Sequence, residues 1–138
     1  MTKELALLSY LKEEGLTKGE IREGYDPCIF LVQGEYMVLS EHERYEKTKE
    51  YIQETLWAFR PSFLAKETGL PEKVFHALTE MCESGNSAIL ALIEATCGLD
   101  AFVEAAIKTD GYGNFLSSYD GKEKRVSVKG EDYFIYRI

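Results

Sequence analysis

Residues 28–40, CIFLVQGEYMVLS, hold two β-rich runs, Cys28 to Val32 and Glu35 to Leu39, on either side of Gln33-Gly34. Aromatic and β-branched side chains fit a pleated surface, and a Gly-containing pair between two such runs is the pattern of a tight hairpin. Both faces of these runs are apolar, so the strands need cover above and below. A second pair of runs, Lys124 to Val128 and Tyr133 to Ile138, lies at the other end of the chain, joined across Lys129-Gly130-Glu131-Asp132. The stretch between the two pairs has helical periodicity. The economical assembly is α+β: an N-terminal and a C-terminal β-hairpin joined in one antiparallel sheet, with a helical middle packed on it. No linker, repeat or low-complexity tract interrupts residues 1–138, which read as a single domain.

Working outward, Leu5, Leu7, Leu8 and Leu11 give an apolar face to a helix from about Lys3 to Glu14, stopped by Gly15. Ser40 followed by Glu43 is a capping box, which starts a second helix. Tyr45, Thr48, Ile52, Thr55/Leu56 and Phe59 keep helical spacing for five turns, until Arg60-Pro61 ends it. Beside them Glu43, Glu46, Glu50 and Glu54 form an acidic stripe that Lys47 and Lys49 only partly offset. A short helix from about Phe63 to Thr68 closes at Gly69, and Pro71 opens another with Val74, Phe75, Leu78, Met81 and Cys82 on one face. Ala88 to Cys97 carries one charge, Glu94, and reads as the central buried helix. Asp100 is placed to cap the next, whose inner face is Leu99, Phe102, Val103, Ala106 and Ile107. Asp110-Gly111-Tyr112-Gly113-Asn114 reads as a structural loop, with no lysine to complete a phosphate cradle.

A hydrophobic share of 45% is too rich for a disordered chain, because that much apolar surface offsets the entropy of ordering. The longest apolar run, Ala88 to Ile93, is far short of the roughly 20 residues that span a bilayer. Met1-Thr2-Lys3-Glu4 lacks a secretory pattern, so the expectation is a cytoplasmic protein without membrane association. Cys28, Cys82 and Cys97 are odd in number, show no CxxC spacing and lie in apolar runs, as reduced core thiols do. Net charge is −8 and unevenly spread: residues 1–110 hold 20 acidic and 11 basic groups, residues 111–138 hold 4 and 5. That field repels a polyanionic duplex and attracts a basic protein.

No nucleophile elbow, P-loop or dinucleotide fingerprint is present, and neither histidine lies beside a serine or cysteine in a nucleophile-like context. The chain is therefore read as non-enzymatic, without cofactor or metal. Glu72, His76 and Glu80 share one helical face, yet no fourth ligand is evident and solvated ion pairing is the expectation for them. Trp57, Phe59 and Phe63 flank Arg60-Pro61 and read as core at their helical spacing. Residues 63–78, FLAKETGLPEKVFHAL, have the spacing of a helix-turn-helix, with Ala65 at the close approach and Gly69 at the turn. Ordinary helical packing gives the same pattern. Its outward Glu72, Lys73, His76 and Glu80 are neutral to acidic where phosphates need cations, so direct DNA binding is not expected. Were DNA the ligand, Lys73 and His76 together with Lys122, Lys124, Arg125 and Lys129 would be its contacts.

The segment from Gly34 to Leu70, GEYMVLSEHERYEKTKEYIQETLWAFRPSFLAKETGL, and the ending DGYGNFLSSYDGKE…YFIYRI resemble small acidic proteins of bacterial viruses and prophages. The resemblance implies a setting in which compact acidic proteins block host nucleic-acid enzymes, restriction and CRISPR effectors among them, by occupying basic grooves. No site is carried over from it. The residues add a separate reason: a rigid helix presenting Glu43, Glu46, Glu50 and Glu54 offers carboxylates at fixed spacing to Lys and Arg. The sequence thus points to a protein-binding inhibitor or modulator of a nucleic-acid-processing enzyme, with a helix-turn-helix-like DNA-binding regulator as the alternative.

Overall fold

The computed structural model describes residues 2–15 and 21–138. In chain order the elements begin α1 (Thr2–Glu13), β1 (Arg22–Glu23), β2 (Ile29–Leu31), β3 (Glu35–Ser40), α2 (Glu41–Glu54) and α3 (Pro61–Thr68). They continue α4 (Glu72–Glu80), α5 (Asn86–Ala95), α6 (Leu99–Asp110), α7 (Tyr112–Leu116), β4 (Lys124–Val128) and β5 (Glu131–Arg137). The class is mixed α+β, as the sequence indicated, with helices between the N- and C-terminal strands. By its internal contacts the chain forms two compact units, Met1–Lys47 with Tyr112–Ile138, and Thr48–Gly111.

The first unit holds one five-stranded antiparallel sheet in the order β1-β2-β3-β5-β4. The two hairpins foreseen from the sequence meet where β3 pairs β5, with Val38 opposite Ile135 and Met37 opposite Tyr136. Edge strand β1 was not foreseen, since two exposed charged residues carry no strand signal. Side chains alternate across the pleat with period two. Phe30, Tyr36, Val38, Tyr133 and Ile135 share one face with Ala6, Leu7 and Leu11 of α1. Ile29, Met37, Leu39, Phe134 and Tyr136 share the other with Cys28 and Leu116, and Tyr112 packs there too. Both faces of the strands are therefore covered, which explains their all-round apolar sequence. On α1 the buried residues are Ala6, Leu7 and Leu11, whereas Leu5 and Leu8 are 44% and 39% exposed, so four leucines do not form one inner face. Residues 110–114 form no open loop, because Tyr112 begins α7 and buries Gly113 and Leu116.

In the second unit Ile52, Leu56, Leu64, Phe75, Ile89, Ile93, Phe102, Val103 and Ala106 are fully buried. Phe102 meets Phe59 and Phe63 edge-on at 5.3 and 5.4 Å, and each such pair adds about 1 kcal/mol beyond area burial. α2 stops at Glu54, before the fifth turn expected of it: the Thr55 hydroxyl donates to the Tyr51 carbonyl at 2.7 Å and the chain tightens into a 3₁₀ turn at Leu56–Ala58. α3 opens on Pro61 and closes on Gly69 at φ 77°, a left-handed cap that glycine adopts without strain. α5 is not the central helix its composition suggested: Ile89 and Ile93 are buried, while Ala88, Ala91 and Ala95 are exposed. Alanine leaves little apolar area in water, so a low charge count need not mean burial on all sides. α4 ends at Glu80, which leaves Met81 and Cys82 exposed in the following turn; Cys28 is buried and Cys97 partly so, and only Cys28 fits the core-thiol reading fully. Gly98 takes the N-cap position expected of Asp100, whose carboxylate pairs instead with Lys49 at 2.9 Å.

Candidate partner-binding face

α2 begins as the capping box dictates. The Ser40 amide donates to Glu43 Oε1 at 3.0 Å, and the Glu43 amide donates to Ser40 Oγ at 3.3 Å, so two free helix-start amides find acceptors. Glu43 Oε2 also accepts from the Lys3 ammonium at 2.8 Å and from the Cys28 thiol at 3.4 Å. Burial works against its charge, but the Lys3 ammonium and the Ser40 amide and hydroxyl outweigh it and hold the carboxyl at about 2. Lys3 is likewise opposed by burial and raised overall by Glu43 and Cys28.

The next residue turns inward as well. The Arg44 guanidinium lies between the Tyr112 and Phe134 rings, 3.9 and 3.7 Å from their centroids, and donates to Glu123 Oε1 at 2.7 Å. Tyr136 completes this cluster by donating its hydroxyl to Glu123 Oε2 at 2.9 Å. Burial, then Glu123, push the Tyr136 phenol above its ordinary value.

Of the four glutamates read as a stripe, Glu43 is thus half-buried and tied to Ser40 and Lys3, whereas Glu46, Glu50 and Glu54 are exposed. At 100° per residue these three share a row with His42, each four residues from the next, opposite buried Thr48 and Ile52. The two lysines that could neutralise the row are drawn elsewhere, Lys47 toward Asp26 at 3.8 Å and Lys49 toward Asp100 at 2.9 Å. Among the described residues none of the three carboxylates has an ion-pair partner. The four-residue spacing was the sequence signal for His42 heading this row in place of Glu43.

The alternative DNA contacts fall into two groups. Lys73 and His76 are exposed on α4, with His76 3.6 Å from Glu72, and Glu80 ends the same helix. On the sheet unit Lys122 and Lys129 are exposed, Lys124 lies 3.5 Å from Glu14, and Arg125 pairs with Asp132. The α3 and α4 helices pack together about the Gly69 turn, with Phe75 fully buried. Among the described residues no three His, Cys, Asp or Glu side chains come together as a metal site, and no helix is long and apolar enough to cross a membrane. No family model, curated protein or solved structure matches the chain.

Proposed function

We propose that the protein acts without catalysis, as a binding protein that inhibits or modulates a basic partner, a nucleic-acid-processing enzyme of the restriction or CRISPR kind. The observation that carries this reading is the un-neutralised row Glu46, Glu50, Glu54 on α2, whose neighbouring lysines are committed to Asp26 and Asp100. A cationic groove gains long-range attraction and fixed register from carboxylates spaced one helical turn apart. Glu43 supports the helix and does not take part. The resemblance to acidic proteins of bacterial viruses supplies the setting.

The test compares capture of basic nucleic-acid enzymes by the wild-type chain, by Glu43→Gln, and by the triple variant Glu46→Gln, Glu50→Gln, Glu54→Gln. The triple variant is expected to lose about tenfold in affinity or more, near 1.4 kcal/mol, while Glu43→Gln keeps it and heparin displaces the wild type. Undiminished capture by the triple variant would remove α2 from the proposal. The other reading, a DNA-binding regulator, draws on the α3–Gly69–α4 geometry and requires salt-sensitive duplex binding that Lys73→Glu weakens.

A further inference from the structure

Three reactive groups from separate segments meet on the sheet unit. The Lys3 ammonium on α1 lies 3.2 Å from the Cys28 sulfur just ahead of β2, and 2.8 Å from Glu43 Oε2 on α2. The same carboxylate oxygen is 3.4 Å from Cys28 Sγ. Cys28 is 7% exposed, beneath Lys3 and Glu43 side chains that keep 22% and 35% of their surface in water. The sulfur is therefore shielded from large reagents. Apart from Glu43 and Lys3, the charged group nearest in the chain is Asp26, which accepts from the Cys28 amide at 2.9 Å.

We propose that Lys3 and Cys28 are the site of a reversible oxidative cross-link, a direct nitrogen–sulfur bond formed when a hydroperoxide oxidises the Cys28 thiol. In the first step peroxide oxygen passes to Sγ, giving the sulfenic acid and one water. In the second, the Lys3 ammonium first gives one proton to solvent, the free amine attacks Sγ, the S–O bond breaks, and the departing hydroxide takes up the second proton that Nζ releases. The sum is thiol plus ammonium plus hydrogen peroxide giving a sulfenamide, two waters and one proton; sulfur loses two electrons and peroxide gains them. Sulfenic sulfur already condenses with backbone nitrogen in this way, and here a side-chain amine is held in that place. The 3.2 Å contact lies inside the roughly 3–3.5 Å range from which bound groups react as one molecule, so closure outruns a second collision with peroxide. Glu43 is a positioning residue: its ion pair holds Nζ over the sulfur. The bond ties α1 to the start of β2. Cys82, exposed and against the Glu80 carbonyl at 3.9 Å, serves as the internal comparison.

Full-length protein is treated with graded hydrogen peroxide, its remaining thiols are alkylated, and its peptides are mapped by mass spectrometry. The expected product joins the Lys3 and Cys28 peptides at the sum of their masses less two hydrogens, is released by dithiothreitol, and is missing when urea-unfolded protein is treated alike. Lys3→Arg keeps a cation for Glu43 but removes the nucleophilic amine, so the link is lost and Cys28 proceeds to the sulfinic acid at the same dose. Wild-type Cys28 recovered as sulfinic acid with Lys3 free, or still open to alkylation once Cys82 is exhausted, overturns the proposal. The wild-type and urea arms decide the matter even if Lys3→Arg folds poorly.

Discussion

On α2 two glutamates three residues apart meet opposite fates: Glu46 faces water, while Glu43 caps the helix and holds Lys3. The folded-state value of Glu43 lies near 2 against an ordinary 4.5, so its stabilising effect is complete above pH 4.5 and is lost as the pH falls from there toward 2. A fully sheltered group so shifted would contribute about 3 kcal/mol, but with a third of this side chain in water, screening leaves about 1 kcal/mol. Urea midpoints of the wild type and Glu43→Gln are therefore expected to differ near neutral pH and to converge as pH falls through that window. A gap independent of pH would mean that the carboxylate charge is not the source. Arg44 makes a larger claim, because removing one member of a sheltered ion pair strands the other. Arg44→Met is expected to cost about 3 kcal/mol in urea unfolding, and adding Glu123→Gln should restore part of it, since Glu123 would no longer be an unpaired charge. The capping box was legible in the sequence because its two members stand three residues apart. Lys3 and Glu123 were not, being brought to α2 by the sheet from distant parts of the chain.

Among the elements, the C-terminal hairpin turns on two residues, Lys129 at φ 53° and Gly130 at φ 83°, a pair of positive angles that marks a type I′ turn. Such a turn matches the twist of its strands, which is why β5 starts at Glu131 and not at Tyr133. Lysine enters the left-handed region at a cost of about 1 kcal/mol. Lys129→Asn is expected to raise stability by about 0.5 kcal/mol and Gly130→Ala to lower it by about 1 kcal/mol, both read from thermal or urea unfolding. Equal stability of all three chains would rule out this turn geometry. The hairpins were legible because period-two alternation and a glycine turn are local. Helix boundaries at Thr55 and Cys82 were not, since a back-bonding hydroxyl and a 3₁₀ turn leave the apolar spacing of the sequence unchanged. The burial of α5 was misread for a related reason: hydrophobicity counts residues, whereas burial depends on which of them are larger than alanine.

At the scale of the whole molecule the acidic balance decides between partners. Residues 48–111 hold 10 acidic and 5 basic groups, and the remainder of the chain holds 14 and 11. Both units are therefore net negative, including the one that carries the C-terminal lysines. Two of the cations at that end are also paired on the surface, Arg125 with Asp132 and Lys124 with Glu14, which lowers what they would gain from a phosphate. Duplex affinity arises from releasing counterions at each neutralised phosphate, and a chain whose two units are both net negative opposes the close approach that this requires. The uneven charge was legible from composition alone; that Lys47 and Lys49 leave the α2 row was not, because their partners Asp26 and Asp100 come from other elements. Labelled duplex DNA mixed with the protein at low ionic strength is accordingly expected to migrate unchanged, where electrostatic attraction would be least screened and easiest to detect. A mobility shift that fades with added salt and with Lys73→Glu would transfer the function to the α3–α4 pair. An unshifted duplex, together with loss of a basic partner on neutralising Glu46, Glu50 and Glu54, would place it on α2.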